Sequence, residues 1–83
     1  MAEPNPEELF DLGVKSIEAK DYIQAKKYFE KACDLNNGSG CGVLGFLYGS
    51  GEGVKQDSKK ADQYFSKACK LGDQEACEAL KEK

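Results

Sequence analysis

Two stretches of this chain, "DYIQAKKYFEKACDLNNGSGCGVL" and "DSKKADQYFSKACKLGDQEACEAL", are versions of one another. Asp21, Ala25, Tyr28, Phe29, Lys31, Ala32, Cys33, Leu35, Cys41 and Leu44 recur as Asp57, Ala61, Tyr64, Phe65, Lys67, Ala68, Cys69, Leu71, Cys77 and Leu80, a period of 36 residues. Repetition on that scale restricts the fold more than any other feature, because each unit must be one supersecondary element that buries its apolar face against its neighbours. Within each unit the apolar residues Ala25, Tyr28, Phe29, Ala32 and Ala61, Tyr64, Phe65, Ala68 fall at i, i+3, i+4, i+7. That is the stripe of an amphipathic helix. The length of the period holds one pair of helices, so the chain is expected to be all-α, a solenoid of about two helix pairs with a short capping helix at its C-terminal end.

Capping chemistry places the helix starts. Asn5 followed by Pro6, Glu7 and Glu8 gives an N-cap, a proline at the first helical position and carboxylates in the first turn, which predicts a helix from Pro6 to Ala19. Asp21 with Gln24 predicts a second from Tyr22 to Leu35, and Asp57 opens a third long candidate from Ser58 to Leu71. Between them a helix from Ser39 to Gly49 presents Cys41, Leu44, Gly45 and Tyr48 on one side, and Asp73 caps a last one, Gln74 to Glu82. The expected organisation is a single repeat domain over residues 1–83, with helix pairs at about 6–35 and 39–71 and the C-terminal helix at 74–82. Leu9, Leu12, Leu44 and Tyr48 are the expected core positions of the first helix in each pair.

Composition removes several functions. The chain has no histidine, and all 12 of its positive side chains are lysine, so neither an imidazole base nor an arginine fork for phosphate or guanine exists. A net charge of -3 gives no general attraction to nucleic acid or anionic lipid, and no apolar run approaches a membrane span. The start, "MAEPNPEELF", lacks the basic and apolar parts of a signal peptide. One stretch, "GSGEGVKQD", imitates a phosphate-binding loop. Such a loop follows a strand and opens a helix, whereas these glycines follow a helix and include Glu52, which would repel phosphate. They are expected to end one helix and turn the chain into the next.

The stretch "LGFLYGSGEGVKQDSKKADQYFSKAC" resembles a Sel1-like repeat, a relative of the tetratricopeptide repeat with a longer turn between its helices. The period of 36 together with the pairs "CDLNNGSGC" and "CKLGDQEAC" is similar to the Helicobacter cysteine-rich protein family, and the resemblance covers Leu9 to Leu80. The first unit, "LGVKSIEAKDYIQAKKYFEKA", has a shorter turn, nearer the tetratricopeptide pattern. Gly42 and Gly49 stand where family members usually carry bulky side chains, which leaves that helix weak by its own propensity. Members usually carry more units and a secretion signal, so the chain fits a short member or a minimal engineered scaffold.

Four cysteines allow three pairings, and the repeat makes Cys33 with Cys41 and Cys69 with Cys77 the equivalent choice. Each would tie the end of one helix to the next, contributing roughly 2 to 3 kcal/mol in the chain-entropy model. That matters for a domain of this size, which buries only roughly 60% of its unfolded surface. Buried reduced thiols and a four-cysteine zinc site are the alternatives, the latter at odds with the usual ligand spacing of two to four residues. Disulfides imply an oxidising compartment, secreted or periplasmic.

The resemblance also implies a penicillin-binding or β-lactamase activity as the enzymatic alternative. Serine enzymes of that class need Ser-x-x-Lys, yet Ser16, Ser39, Ser50, Ser58 and Ser66 have Ala19, Gly42, Gly53, Ala61 and Cys69 at the third following position. No residue is nominated as catalytic, and no metal or cofactor is expected. The expected function is a non-catalytic binding module whose first helices line a concave face, with Phe10, Val14, Ile17, Gly42, Phe46 and Gly49 as its residues. The plain alternative, that these side chains merely widen the core stripe, stays open. A tetratricopeptide clamp for a terminal carboxylate needs Lys, Asn and Arg where this chain has Phe10, Val14, Gly42 and Phe46. The expected partner is therefore a protein or an extended apolar peptide, or a second copy of the chain on the same face, with neither nucleic acid nor membrane involved. Lys26, Lys27, Lys31, Lys59, Lys60 and Lys67 are expected to be solvated charge on the outer face.

Overall fold

The computed structural model describes residues 5–81, so the start of the chain through Pro4 and the predicted helix end at Glu82 lie outside the described residues. Five helices follow one another: α1 (Pro6–Glu18), α2 (Tyr22–Asp34), α3 (Gly38–Ser50), α4 (Ser58–Lys70) and α5 (Gln74–Lys81). No strand occurs among the described residues. Consecutive helices pack on one another, α1 on α2, α2 on α3, α3 on α4 and α4 on α5, and the body measures 42 × 25 × 17 Å. This is the all-α solenoid expected from the period, with α1, α3 and α5 as the first helices of successive units and α2 and α4 as the second.

Side-chain caps start the helices as the sequence indicates. Asn5 Oδ1 accepts from the Glu8 N–H at 2.8 Å, Asp21 Oδ1 from Gln24 at 3.1 Å and Asp57 Oδ1 from Lys60 at 3.1 Å, each satisfying one orphan donor of a first turn. The start of α3 departs from expectation by a residue, because Asn37 caps it, accepting from the Gly40 N–H at 2.7 Å. Asn36 just before it has φ 66°, and one period later Gly72 has φ 100° ahead of the capping Asp73. Both junctions therefore use the same device, a left-handed residue that stops one helix followed by a cap that opens the next.

The core is one continuous cluster. Ala25, Phe29 and Cys33 from α2 meet Cys41, Leu44, Leu47 and Tyr48 from α3 and Ala61, Phe65 and Ala68 from α4, with Ala76 closing it from α5. Two glycines let the aromatic rings sit directly on a helix backbone: a Cβ built at Gly13 would lie 2.6 Å from the Phe29 ring and one at Gly45 2.7 Å from the Phe65 ring. α3 contains five glycines in 13 residues and is nonetheless helical. Burial between α2 and α4 outweighs its poor propensity, as tertiary contacts commonly do.

Leu12 corrects an expectation. It was predicted to share the core with Leu44, yet it is 38% exposed while Leu44 is fully buried. The reason is positional. Leu44 has a helix pair on each side, whereas among the described residues no helix precedes α1.

Candidate functional site

A groove of about 210 Å³ opens between α1, α3 and the start of α5, lined by Phe10, Ser39, Gly42, Val43, Phe46, Asp73 and Glu75. Phe10 packs edge-on against Phe29 with ring centroids 5.5 Å apart, and Phe46 packs the same way against Phe65 at 5.1 Å. These contacts hold both rings from behind. Phe46 still exposes 52% of its surface, the largest exposed aromatic among the described residues. The two rings occupy different rows of the solenoid. Aligning Leu12–Gly13 with Leu44–Gly45 makes Phe10 equivalent to Gly42 and Val14 equivalent to Phe46.

Of the six residues nominated from sequence, Phe10, Gly42 and Phe46 line this groove together. Val14 and Ile17 lie further along α1, half-buried against the core cluster. Gly49 sits half-buried beside α4, where an added Cβ would meet only the Ala61 methyl at an ordinary 3.8 Å. Gly42 is buried, and a Cβ there would overlap the Asp73 carboxylate. Asp73 therefore already fills the space beside Gly42, which leaves no room there for a partner's backbone.

Ser39, Val43, Asp73 and Glu75 were not singled out from sequence. Asp73 was legible as a cap, and its Oδ1 does accept the Glu75 N–H at 3.1 Å; that the cap also forms a groove wall depends on how α5 docks on α4, which no local pattern reveals. Lys26 and Glu30 form an ion pair at 3.4 Å on α2, and among the described residues no ion pair within 4 Å involves Asp73 or Glu75.

The glycine-rich turn after α3 serves the scaffold. Gly51 at φ 79° ends α3, Gln56 Nε2 donates to the Gly49 carbonyl at 2.8 Å and the Asp57 N–H donates to Tyr48 O at 2.9 Å. Gly53, at φ 73°, lies so close to Tyr22 that an added Cβ would stand 2.6 Å from the Tyr22 Cβ. The negative charge of nearby Glu52, with lesser contributions from desolvation and hydrogen bonding to the same carboxylate, raises the Tyr22 pKa above its usual 10.0. Tyr48 stacks on Tyr64 at 5.5 Å, and the Lys60 ammonium lies 5.1 Å from the Tyr48 ring centre. Lys60, expected to be merely solvated, thus also makes a cation–π contact.

The cysteines pair as Cys33–Cys41 and Cys69–Cys77, with Cα atoms 4.7 and 4.8 Å apart, which leaves no thiolate among the four for zinc. The first bridge is buried between α2 and α3 and the second is half-exposed between α4 and α5. Two such bonds imply folding in an oxidising compartment. No helix among the described residues is long and apolar enough to cross a membrane.

Paired antiparallel helices repeating along one axis, clipped at each junction by a disulfide and presenting a groove on the side of the first helices, define a helical repeat protein of the kind that forms binding surfaces for other proteins. The Sel1 repeat family profile matches residues 9–37 and 40–73. The chain belongs to that family. It is 58% identical over 60 residues to HcpC of Helicobacter pylori (strain J99 / ATCC 700824), covering 72% of this chain and 21% of the relative. It is 52% identical over 61 residues to the protein named "Beta-lactamase HcpA" of the same strain, covering 74% of this chain and 24% of the relative. The solved structure of Helicobacter pylori cysteine rich protein B superposes with a TM-score of 0.80 at 35% identity, covering 89% of this chain and 59% of that one. The chain thus spans about a fifth to a quarter of the length of these curated relatives.

Proposed function

We propose that the chain is a non-catalytic binding module that holds a segment of a partner protein or peptide in the groove between α1, α3 and α5. The observation that carries this reading is Phe46: an aromatic side chain 52% exposed in a concavity, braced from behind by Phe65. Braced aromatic anchors of this kind dominate protein interfaces. The test is binding to an immobilised random peptide library. Phe46→Ser should weaken the bound sequences by at least ~1 to 2 kcal/mol, the scale of a hot-spot residue, with helical circular dichroism unchanged. Equal binding by the variant would sink the reading. A secreted or periplasmic location agrees with the two disulfides.

The second reading, β-lactam binding or turnover, is favoured by the name of HcpA. Against it stand the serines: Ser16 Oγ donates to the Leu12 carbonyl at 2.9 Å and Ser50 Oγ to Leu47 at 3.4 Å, both spent on their own helices, and no serine is followed at the third position by lysine. Turnover of a chromogenic β-lactam by repurified protein decides between the two.

A further inference from the structure

Charge is sorted between the two sides of this solenoid. The first helices, α1, α3 and α5, hold six carboxylates (Glu7, Glu8, Asp11, Glu18, Glu75, Glu78) and two lysines (Lys15, Lys81), a net of -4. The second helices, α2 and α4, hold seven lysines and three carboxylates, a net of +4. The groove lies on the acidic side. Its lining includes the carboxylates of Asp73 and Glu75 beside the apolar side chains of Phe10, Val43 and Phe46, and no lysine lines it.

Resting on the reading of the groove given above, we infer that its occupant is an extended peptide segment in which an apolar side chain stands next to a lysine or arginine. The apolar side chain covers the exposed part of Phe46 and the neighbouring Val43. The cation reaches the Asp73 and Glu75 carboxylates, which have no lysine of this chain within 4 Å among the described residues. Complementary potential of this sort selects partners and speeds encounter more than it adds affinity. An acidic segment is disfavoured by the same charges. A groove of about 210 Å³ holds one or two side chains of a strand-like segment, which favours a peptide over the broad lysine-bearing helix face of a second copy.

The experiment uses an array of nine-residue peptides whose two central positions run through all residues, followed by fluorescence anisotropy on the best binder and on its Lys→Gln and Lys→Glu versions. Apolar–basic pairs should rank first. The double variant Asp73→Asn/Glu75→Gln keeps the cap and the helix propensity of α5; it should weaken the basic peptide about fivefold, the scale of two exposed ion pairs, and flatten its salt dependence. Ser39→Lys, which adds a positive charge to the exposed groove lining, should weaken the basic peptide more than its Lys→Gln version. If neutral peptides bind as well as basic ones and only Phe46→Ser reduces binding, the groove is real and the charge inference is wrong. If none of these variants alters binding, the groove reading falls with it. Salt-sensitive dimerisation of the chain alone, abolished by Asp73→Asn/Glu75→Gln, would assign the groove to a second copy and overturn the peptide.

Discussion

Whether a glycine is needed here depends on what stands over its Cα, and two glycines four residues apart on α3 make the contrast. At Gly45 the Phe65 ring occupies the space a Cβ would need, at 2.7 Å, and both residues are buried. Gly45→Ala should cost roughly 1 to 3 kcal/mol by overpacking. At Gly49 the nearest atom stands at 3.8 Å, so Gly49→Ala should stabilise by up to about 1 kcal/mol through helix propensity and leave peptide binding unchanged. Chemical denaturation of the two variants measures both, and destabilisation by Gly49→Ala would show that its space is needed. The sequence places Gly49 on the proposed binding face with Gly42 and Phe46 of the same helix. Periodicity gives a direction around the helix axis; it does not say whether a neighbouring helix already stands there. For the same reason Leu12 and Leu44 read alike in sequence and differ in burial.

At the scale of helices and turns the sequence was most legible where a side chain meets its own backbone. The caps at Asn5, Asp21, Asp57 and Asp73 and the helix lengths could be read within a residue or so, because capping is decided within one turn. The groove rim could not, since it forms where two elements far apart in sequence meet. Two predictions belong here. The bridge Cys69–Cys77 is half-exposed whereas Cys33–Cys41 is 1% and 0% exposed, so limiting phosphine reductant should open Cys69–Cys77 first. Time-resolved alkylation with peptide mapping would show Cys69 and Cys77 labelled ahead of the other pair, and the reverse order would mean that burial does not govern access. The second prediction concerns the turn that Glu52 latches onto Tyr22. Glu52 raises the Tyr22 pKa, and burial together with nearby Tyr48, Glu30 and Asp34 raises that of Tyr64. A folded-state pKa above the unfolded one stabilises the fold fully below the unfolded value and ceases to do so as pH rises through the folded value. The melting midpoint should therefore fall from about pH 10 upward, and Glu52→Gln should reduce the fall. A decline identical in wild type and Glu52→Gln would exclude the latch as a contributor.

For the whole molecule, stability in a repeat array is a sum of each unit's own folding and its interfaces with neighbours. The repeated Leu–Gly pair measures the interface term. Leu12 and Leu44 precede the equivalent Gly13 and Gly45, and each of those glycines carries an aromatic ring from the following helix. They differ in that α2 precedes the helix bearing Leu44, so that Leu44 lies fully buried in a cluster with Phe29, Cys33, Phe65 and Ala68. Removing its side chain leaves a cavity walled on both sides, and Leu44→Ala should cost about 2 to 5 kcal/mol. Leu12, 38% exposed, has less to lose, and Leu12→Ala should cost no more than about 1 kcal/mol. Urea unfolding of both variants with the disulfides intact supplies the comparison, and the difference between them estimates what one preceding helix pair contributes. If the two costs are equal, the first unit is as well packed as the second, and the positional account of Leu12 fails.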